Sequence, residues 1–286
     1  MNGESDVESK KIDRRQSLQM AGLWTLGGCL GLGSCGCRST PITKRPQLML
    51  VPEAQELSLG LQAYQETIAE QTASSNGALV EMVRRVGQRI AAVSQRDDFQ
   101  WEFNLIADPQ QNAFCLPGGK VAIYEGILPV CQDEAGLAVV MSHEIAHALA
   151  RHGGERMSHN MAVDGAKVLI DKVAGKYVPG KKDLLMQAYG VGSKYAVLLP
   201  YNRRQESEAD HIGLKLMAQA GYDPAVAPGF WTRFGEMKGG GQSAEFLSTH
   251  PSDQRRSSDL EALMPEASAI YQSSAVKYGR GQRLTS

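Results

Sequence analysis

The chain has 286 residues, of which 42% are hydrophobic and 21% are charged, and its formal net charge is −1. This length allows one large domain or two small ones with an ample core, and the ordinary composition excludes a largely disordered chain. Because the charges nearly cancel, the chain has no electrostatic footprint for nucleic acid, so we expect no nucleic-acid partner.

The N-terminus has the pattern of an export signal. Residues 1–15 are polar and end in basic residues, and residues 18–33 form an apolar, glycine-rich run that is short for a transmembrane helix, which needs ~20 apolar residues. Two cysteines follow small residues as in a bacterial lipoprotein processing box, Cys29 and Cys35, and Cys35 is favoured because the chain turns polar after it. Residues 1–37 are therefore predicted to be a signal and lipid anchor, with an uncleaved N-terminal anchor as the alternative. Either interpretation places the body on the periplasmic side of the cell envelope, tethered to a membrane.

Residues 38–52 contain Pro41 and Pro46 without periodicity and are predicted to be a linker. Two amphipathic helices are predicted next, because apolar residues recur at spacings of three and four over 53–70 and again over 80–93. Residues 71–77 separate them.

A small sheet is predicted after the second helix. Trp101, Phe103 and Leu105 alternate with polar residues, as in a half-buried strand. A second strand is predicted over 112–124, interrupted by Pro117-Gly118-Gly119, and Pro and Gly inside a strand indicate an edge or a bulge.

The remainder of the chain is mostly helical by its pattern. Helices are predicted over about 133–151, 154–176, 182–197, 203–220 and 224–237, followed by a flexible loop at Gly239-Gly240-Gly241. We predict one domain over residues 53–265 and a tail over 266–286 with little pattern. The fold class is α+β, mostly helical, with a small β-sheet beside the helix that carries the motif described next.

Two other cysteines lie in the body, Cys115 and Cys131. A disulfide between them would fit an oxidising compartment, and two buried thiols are the equally acceptable alternative. No CxxC motif or Cys/His zinc-finger spacing accompanies them.

The motif His143-Glu144-Ile-Ala-His147 carries the chemistry. Residues four apart fall on one face of a helix, so the two imidazoles can share one zinc ion. Zinc lowers the pKa of a bound water to about 7, and Glu144, next to His143, would accept the proton as the general base. The alternative is a pair of helical histidines near a surface. The flanking residues are apolar, however, and burying His and Glu there costs free energy unless a ligand compensates.

A catalytic zinc ion keeps three protein ligands. The extended pattern with a third histidine in the same segment is absent, because Ala150 and Gly153 occupy those positions. The third ligand is sought in Glu206-Ser-Glu208-Ala-Asp210, where Glu206 and Asp210 are four apart on a predicted helix. One of the two would bind zinc and the other would accept an imidazole N–H, while a solvated acidic face is the alternative.

The chain resembles the zinc peptidases that include the HtpX-like and CAAX prenyl proteases, and specifically their periplasmic lipoprotein branch, the BepA-like and LoiP-like proteins. Four motifs in the expected order carry the resemblance: Asn112–Lys120, Ser142–His152, Gln205–Gly213 and Phe246–Pro251. The resemblance implies a gluzincin-type metallopeptidase domain that binds one zinc ion per chain.

The resemblance also implies roles for single residues. Glu206 would be the third zinc ligand, Asp210 would support a zinc histidine, and His250 would lie by the metal, where it can occupy the open position or steady the oxyanion. Arg256 matches the basic residue that follows this motif. His152 and His211 are expected to be structural.

In such peptidases an exposed strand near the zinc ion pairs with the substrate backbone, so Phe114, Gly118 and Gly119 are predicted substrate-binding residues. Strand addition recognises any extended peptide, which predicts unfolded or misassembled envelope proteins as substrates. The leading hypothesis is therefore a zinc-dependent endopeptidase. The alternatives are a chaperone-like binding module with a silenced site, for example with His250 capping the zinc, and a different metallohydrolase such as a cell-wall amidase.

Overall fold

The computed structural model describes residues 36–40, 42–171, 202–236, 246, 249–250 and 254–284. The chain divides into two compact units, Met1–Cys37 and Arg38–Ser286, and the description concerns the second. The predicted signal with Cys29 and Cys35, the predicted helix at 182–197 and the glycine loop at 239–241 lie outside the described residues. Within these ranges, no helix is both long and apolar enough to cross a membrane.

Two short strands, β1 (Gly36–Ser39) and β2 (Pro46–Met49), form a two-stranded sheet, and β2 with the second half of β1 lies in the segment predicted to be a linker. Neither strand alternates between apolar and polar residues, which explains why the sequence did not indicate them. The segment also contacts the helices, because the side chain of Gln47 donates to the Ala150 carbonyl at 2.6 Å.

The two predicted amphipathic helices are confirmed as α1 (Glu53–Glu70) and α2 (Gly77–Ala91). The break between them ends at Asn76, whose side chain accepts a hydrogen bond from the Leu79 amide and caps α2.

A three-stranded sheet follows, with strands β3 (Glu102–Ile106), β4 (Ala113–Leu116) and β5 (Lys120–Tyr124) in the order β3–β5–β4. β5 pairs parallel with β3 and antiparallel with β4, so the single strand predicted over 112–124 is two strands, of which β4 lies at an edge and β5 is central. The interruption at Pro117 is the turn of the β4–β5 hairpin. Gly118 and Gly119 have φ values of 89° and 81°, a left-handed conformation that glycine adopts readily.

The central element is α4 (Glu134–Leu149), which follows the short helix α3 (Leu128–Cys131) and is buried along its whole length. Its start is capped by Asp133, whose side chain accepts from the Gly136 amide. Two further amides of its first turn, those of Glu134 and Ala135, donate to carbonyls of the C-terminal segment, Gln282 and Arg280. The C-terminal segment therefore supplies acceptors that the first turn of a helix lacks.

Four further helices complete the described structure: α5 (His152–Asp171), α6 (Arg203–Gln219), α7 (Ala227–Glu236) and α8 (Gln254–Ser273). α8 is not anticipated by the sequence pattern, and the predicted domain boundary at 265 falls inside it. Its first six residues are polar and Pro265 interrupts it, so the periodic signal is weak, but α8 packs against α6 and α7.

Two buried apolar clusters lie on either side of the sheet. The larger surrounds α4 and includes Cys115, and the smaller packs Phe114 and Tyr124 against Tyr64 of α1. Cys115 and Cys131 are both free and buried, so the described structure contains the two thiols and not the disulfide. The predicted class, a mostly helical α+β fold with a small sheet beside the motif helix, is confirmed.

The crossing of α4 and α6 depends on Gly213. A β-carbon at this position would lie 3.1 Å from the backbone nitrogen of His143 and from the carbonyl group of Ser142. A glycine therefore lets the two helices approach closely enough for side chains of α6 to reach the histidines of α4.

We expect Gly213→Val to lower the free energy of unfolding by about 1–3 kcal/mol, since the larger side chain forces the two helix backbones apart. Urea denaturation monitored by circular dichroism measures this loss. The matched control is Gly229→Val on α7, where the nearest atom to an added β-carbon is an Arg233 side-chain nitrogen at 3.5 Å. That variant should stay within about 0.5 kcal/mol of the parent, and equal losses in both variants would contradict the role assigned to Gly213.

Candidate metal centre

The motif helix α4 places two imidazoles together. His143 and His147 are one helical turn apart, and their Nε2 atoms lie 3.1 Å from each other. Both side chains are buried. Two ring nitrogens at this distance stabilise the structure little unless a proton or a positive ion lies between them. The arrangement therefore suits one ion shared by both histidines.

Helix α6 brings a carboxylate to the same point. Glu206 Oε2 lies 3.5 Å from His143 Nε2, and Glu206 Oε1 lies 3.4 Å from His147 Nε2. Asp210, one turn further along α6, faces the opposite ring nitrogen of His143, with Oδ1 at 3.1 Å from Nδ1. The alternative that these acidic residues form a solvated face is wrong, because both side chains are buried.

A fourth side chain, His250, completes the cluster. Its Nδ1 atom lies 3.2 Å from His143 Nε2 and 3.1 Å from Glu206 Oε1. One ligand atom from each of His143, His147, Glu206 and His250 lies within 4.8 Å of the others, so the four side chains could hold one metal ion. The backbone amide of His250 donates to the Phe246 carbonyl, and the Phe246 ring stacks on the His250 ring at 4.3 Å. These two contacts set the orientation of the imidazole.

Glu144 lies at the side of this cluster. Its Oε1 atom is 3.5 Å from His250 Nε2. Burial raises the pKa of Glu144 above that of an ordinary glutamate, although the charges of His250 and His143 oppose the shift. A carboxylate with a raised pKa is a better proton acceptor than an ordinary one, as a general base requires.

Arg256 of α8 balances the carboxylates. Its guanidinium donates from Nε to Asp210 Oδ2 at 2.6 Å, and its Nη1 lies 2.9 Å from Glu206 Oε2. The guanidinium also lies over the Trp231 ring, with Cζ 3.5 Å from the ring centroid. Because α8 was not predicted, the sequence identified Arg256 only through the resemblance and assigned it no contact.

The charges explain the protonation states. Burial and Arg256 oppose the protonation of His143, but hydrogen bonds to Asp210 and Glu206 outweigh them and raise the pKa of His143 to about 9. Burial lowers the pKa of His147 well below the ordinary histidine value. The pKa of Glu206 is held well below its usual range in spite of burial, because the charges of His250 and Arg256 favour the carboxylate. These shifts favour a protonated His143 beside an ionised Glu206.

An outer shell supports His147, and the sequence did not anticipate it. His152 was expected to be structural and Glu208 was given no role, yet His152 Nδ1 lies 2.9 Å from His147 Nδ1 and His152 Nε2 lies 3.1 Å from Glu208 Oε2. Burial would raise the pKa of Glu208, but hydrogen bonds from His152 and its neighbours lower it to about 2. The sequence gives only a weak indication that His147 and His152 are in contact, because a spacing of five residues exceeds one helical turn.

The remaining predicted residues lie further out. Phe114 points into the smaller apolar cluster under α1 and not toward the metal cluster. Gly118 and Gly119 form the hairpin turn, where their left-handed conformation already accounts for glycine. His211, interpreted as structural, is partly exposed and lies 3.0 Å from Glu266 at the surface.

The donor set fits a divalent metal ion. Two imidazoles and a carboxylate around a common point are the ligand types that zinc takes in hydrolytic sites. Glu144 Oε1 is buried and has no hydrogen-bond partner among the described residues, whereas Glu206 Oε2 forms the ion pair with Arg256. A buried carboxylate oxygen without a partner is costly, and a metal ion with its water would satisfy Glu144 Oε1.

We expect zinc binding to release about one proton per ion at about pH 7.5, because His143 is protonated below its pKa of about 9 and must become neutral to bind. His147 and Glu206 contribute none, since the former is already neutral and the latter already ionised. Calorimetric titration in two buffers with different ionisation enthalpies counts the protons. In Asp210→Asn the count should fall, because the pKa of His143 loses its carboxylate support. Binding without proton release in the parent would contradict this charge distribution.

Comparison with known proteins agrees with this geometry. The model of peptidase family M48 matches residues 77–264. The chain is 39% identical to the mitochondrial metalloendopeptidase OMA1 of Schizosaccharomyces pombe over 79% of the chain and 66% of that protein. It is 30% identical to the mitochondrial metalloendopeptidase OMA1 of Saccharomyces cerevisiae over 96% of the chain and 83% of that protein. The beta-barrel assembly-enhancing protease of Escherichia coli O157:H7 is 25% identical over 63% of the chain and 38% of that protein.

These comparisons overturn the predicted location. Six relatives, 27–39% identical, are named as mitochondrial metalloendopeptidases, which does not fit a periplasmic lipoprotein. The error has a physical origin, because a basic, polar N-terminus followed by a short apolar run is a compositional signal shared by more than one targeting system. The lipid anchor at Cys35 or Cys29 depended on that location and loses its support with it.

The match to the family model spans more than half of the chain and includes α4, α6 and all four residues of the cluster. The predicted enzyme class, a metalloendopeptidase, is confirmed. The chain belongs to peptidase family M48.

Proposed function

We propose that the protein is a zinc-dependent endopeptidase that hydrolyses peptide bonds in extended segments of unfolded proteins. The observation that carries the proposal is the convergence of His143, His147 and Glu206 on one point, with the buried carboxylate of Glu144 beside it. The relatives' names describe endopeptidases, but the chain spans only part of the S. pombe protein, so their substrates are not transferred to it. The envelope location of the predicted substrates is dropped together with the periplasmic location.

Each side chain then has a role. A bound zinc ion would lower the pKa of a water molecule and polarise the carbonyl group of the substrate. His143, His147 and Glu206 would hold the ion, and Asp210 would keep the Nδ1 proton on His143 so that Nε2 faces the ion. Glu144 would accept the proton from the attacking water and deliver it to the leaving amine.

Strand β4 is the proposed substrate-binding edge. The Tyr124 amide donates to the Asn112 carbonyl, so by alternation Phe114 and Leu116 also bond to β5, and the backbone groups of Ala113 and Cys115 point outward. Within the described ranges, no other segment pairs with this edge. Cys115 packs in the cluster around α4, and the carboxylate of Glu144 adds to burial in raising the pKa of its thiol. We therefore assign backbone pairing to Cys115 in place of the predicted Phe114.

A second candidate function follows from His250. Together with His143, His147 and Glu206 it forms a closed set of four ligands, the number found in structural zinc sites. In that arrangement His250 would occupy the position that a catalytic zinc ion keeps open. The protein would then be self-inhibited, or would bind unfolded chains without cleaving them.

We expect Glu144→Gln to lower cleavage of an unfolded protein such as casein by about 100- to 10,000-fold, because the variant lacks the general base. Its zinc content should equal that of the parent, since Glu144 is not a ligand. The assay uses the full chain loaded with zinc, with and without a chelator. Glu266→Gln, which changes a surface carboxylate that pairs with Lys215, is the matched control and should cleave normally. Equal cleavage by Glu144→Gln and the parent would contradict the proposed function.

We expect His250→Ala to separate the two candidates. Under the self-inhibited arrangement the variant opens a ligand position, so cleavage rises above that of the parent. If His250 instead steadies the developing oxyanion, cleavage falls by about 10- to 1,000-fold. The same casein assay measures both, with Thr249→Ala as a neighbouring control on the same segment.

A further inference from the structure

The two histidines of α4 have different supports on the ring nitrogens that face away from the cluster. His143 Nδ1 faces a carboxylate, Asp210. His147 Nδ1 faces a second imidazole, that of His152, at 2.9 Å. All of these side chains are buried, and His152 has no exposed surface. The side chain that holds His147 therefore differs from the one that holds His143, and the metal-binding motif does not explain this difference.

The hydrogen-bond direction in this construction follows from the geometry. His147 Nε2 faces the cluster, 3.1 Å from His143 Nε2, so a metal ion binds there and the ring proton stays on Nδ1. His147 Nδ1–H then donates to His152 Nδ1. His152 must carry its own proton on Nε2, which donates to Glu208 Oε2 at 3.1 Å. Each ring is fixed in one tautomer by the next group outward.

The outer end of the chain of hydrogen bonds is anchored by Arg45. Its Nε donates to Glu208 Oε2 at 2.6 Å, and its two terminal nitrogens donate to the two oxygens of Glu155 at 2.6 and 2.7 Å. Thr43 also donates to Glu208. The carboxylate is thus held between α6 and a segment that precedes α1, and Arg45 joins both to α5.

The backbone between α4 and α5 places His152 beside His147. Arg151 adopts a left-handed conformation, with φ of 55°, which turns the chain sharply so that α5 starts directly beside His147. This conformation is unfavourable for a residue with a side chain. It is stabilised by the Arg151 side chain, which donates to Glu56 at 2.5 Å and to the Val51 carbonyl at 3.1 Å.

We propose that His152 and Glu208 are positioning residues that hold the His147 imidazole on the metal centre, and that Arg45 makes the segment before α1 part of that support. None of the three belongs to the four-residue cluster that could hold the metal ion. The inference rests on the metal site of the proposed function but not on peptide cleavage. Zinc binding is measured without substrate, so a protein that binds zinc but cleaves nothing would refute the proposed function and leave this test intact.

The test compares zinc affinities of full-length variants by competition with a chromophoric chelator. His152→Phe has a similar ring size but cannot accept a hydrogen bond, and we expect its zinc affinity to fall about 10- to 100-fold. His152→Gln offers one acceptor and one donor on an amide, and should retain most of the parent affinity. His211→Phe is the matched control on the surface of α6, and should bind zinc like the parent.

A spectroscopic readout separates positioning from general stability. With cobalt in place of zinc, a reoriented His147 changes the ligand-field absorption, whereas a loss of packing elsewhere lowers only the melting temperature. We expect the spectrum to shift in His152→Phe and to return in His152→Gln. If His152→Phe does not fold, Glu208→Gln and Arg45→Gln decide the question. Both remove charge from the anchored end and should weaken zinc binding, Arg45→Gln by less because Thr43 still donates to Glu208.

Two results would overturn the proposal. One is a zinc affinity and cobalt spectrum in folded His152→Phe, or in Glu208→Gln when His152→Phe does not fold, that match those of the parent. The other is an equal loss in His152→Phe and His152→Gln, which would assign His152 a packing role without a specific hydrogen bond.

Discussion

The structure depends on an excess of buried negative charge at the crossing of α4 and α6. Glu144, Glu206 and Asp210 are all buried, and Arg256 is the described cation that contacts two of them. Three carboxylates and one guanidinium leave a deficit of two positive charges, which a divalent ion would supply. Without the ion the deficit is reduced by a proton on His143, whose pKa rises to about 9. Buried charges are stable only when they are paired, so the metal ion is also a part of the fold's electrostatic balance.

This balance explains why the surrounding elements are arranged as they are. Gly213 lets α6 approach α4, because any larger residue would meet the backbone of His143. α8 delivers Arg256, and the Trp231 ring under its guanidinium fixes the cation on the side of Asp210 and Glu206. The C-terminal segment holds the first turn of α4 through the carbonyls of Arg280 and Gln282. Elements far apart in the chain thus pack around or hydrogen-bond to α4 and its histidines, and together they set the geometry of the metal centre.

The local sequence pattern was sufficient to predict the elements whose residue types recur at a regular spacing. The periodicity of α1 and α2, the alternation in β3 and the four-residue spacing of His143 and His147 can all be read within a few residues. β1 and β2 escaped detection because their residues do not alternate between apolar and polar, and α8 because it begins with six polar residues and contains an internal proline. The contact of His152 with Glu208 joins residues 56 apart in sequence. Such contacts depend on how helices pack, which a one-dimensional pattern does not contain.

The two metal histidines are held by different parts of the chain. Asp210 and Arg256, which lie close to His143, are both buried within the helical core, so this side of the centre is as rigid as the core itself. The side of His147 leads outward through His152 and Glu208 to Arg45, whose side chain is 21% exposed. Contacts near solvent open at lower free-energy cost than contacts in the core. His147 is therefore the ligand whose position responds to the segment before α1, while His143 is fixed by the crossing of the two helices.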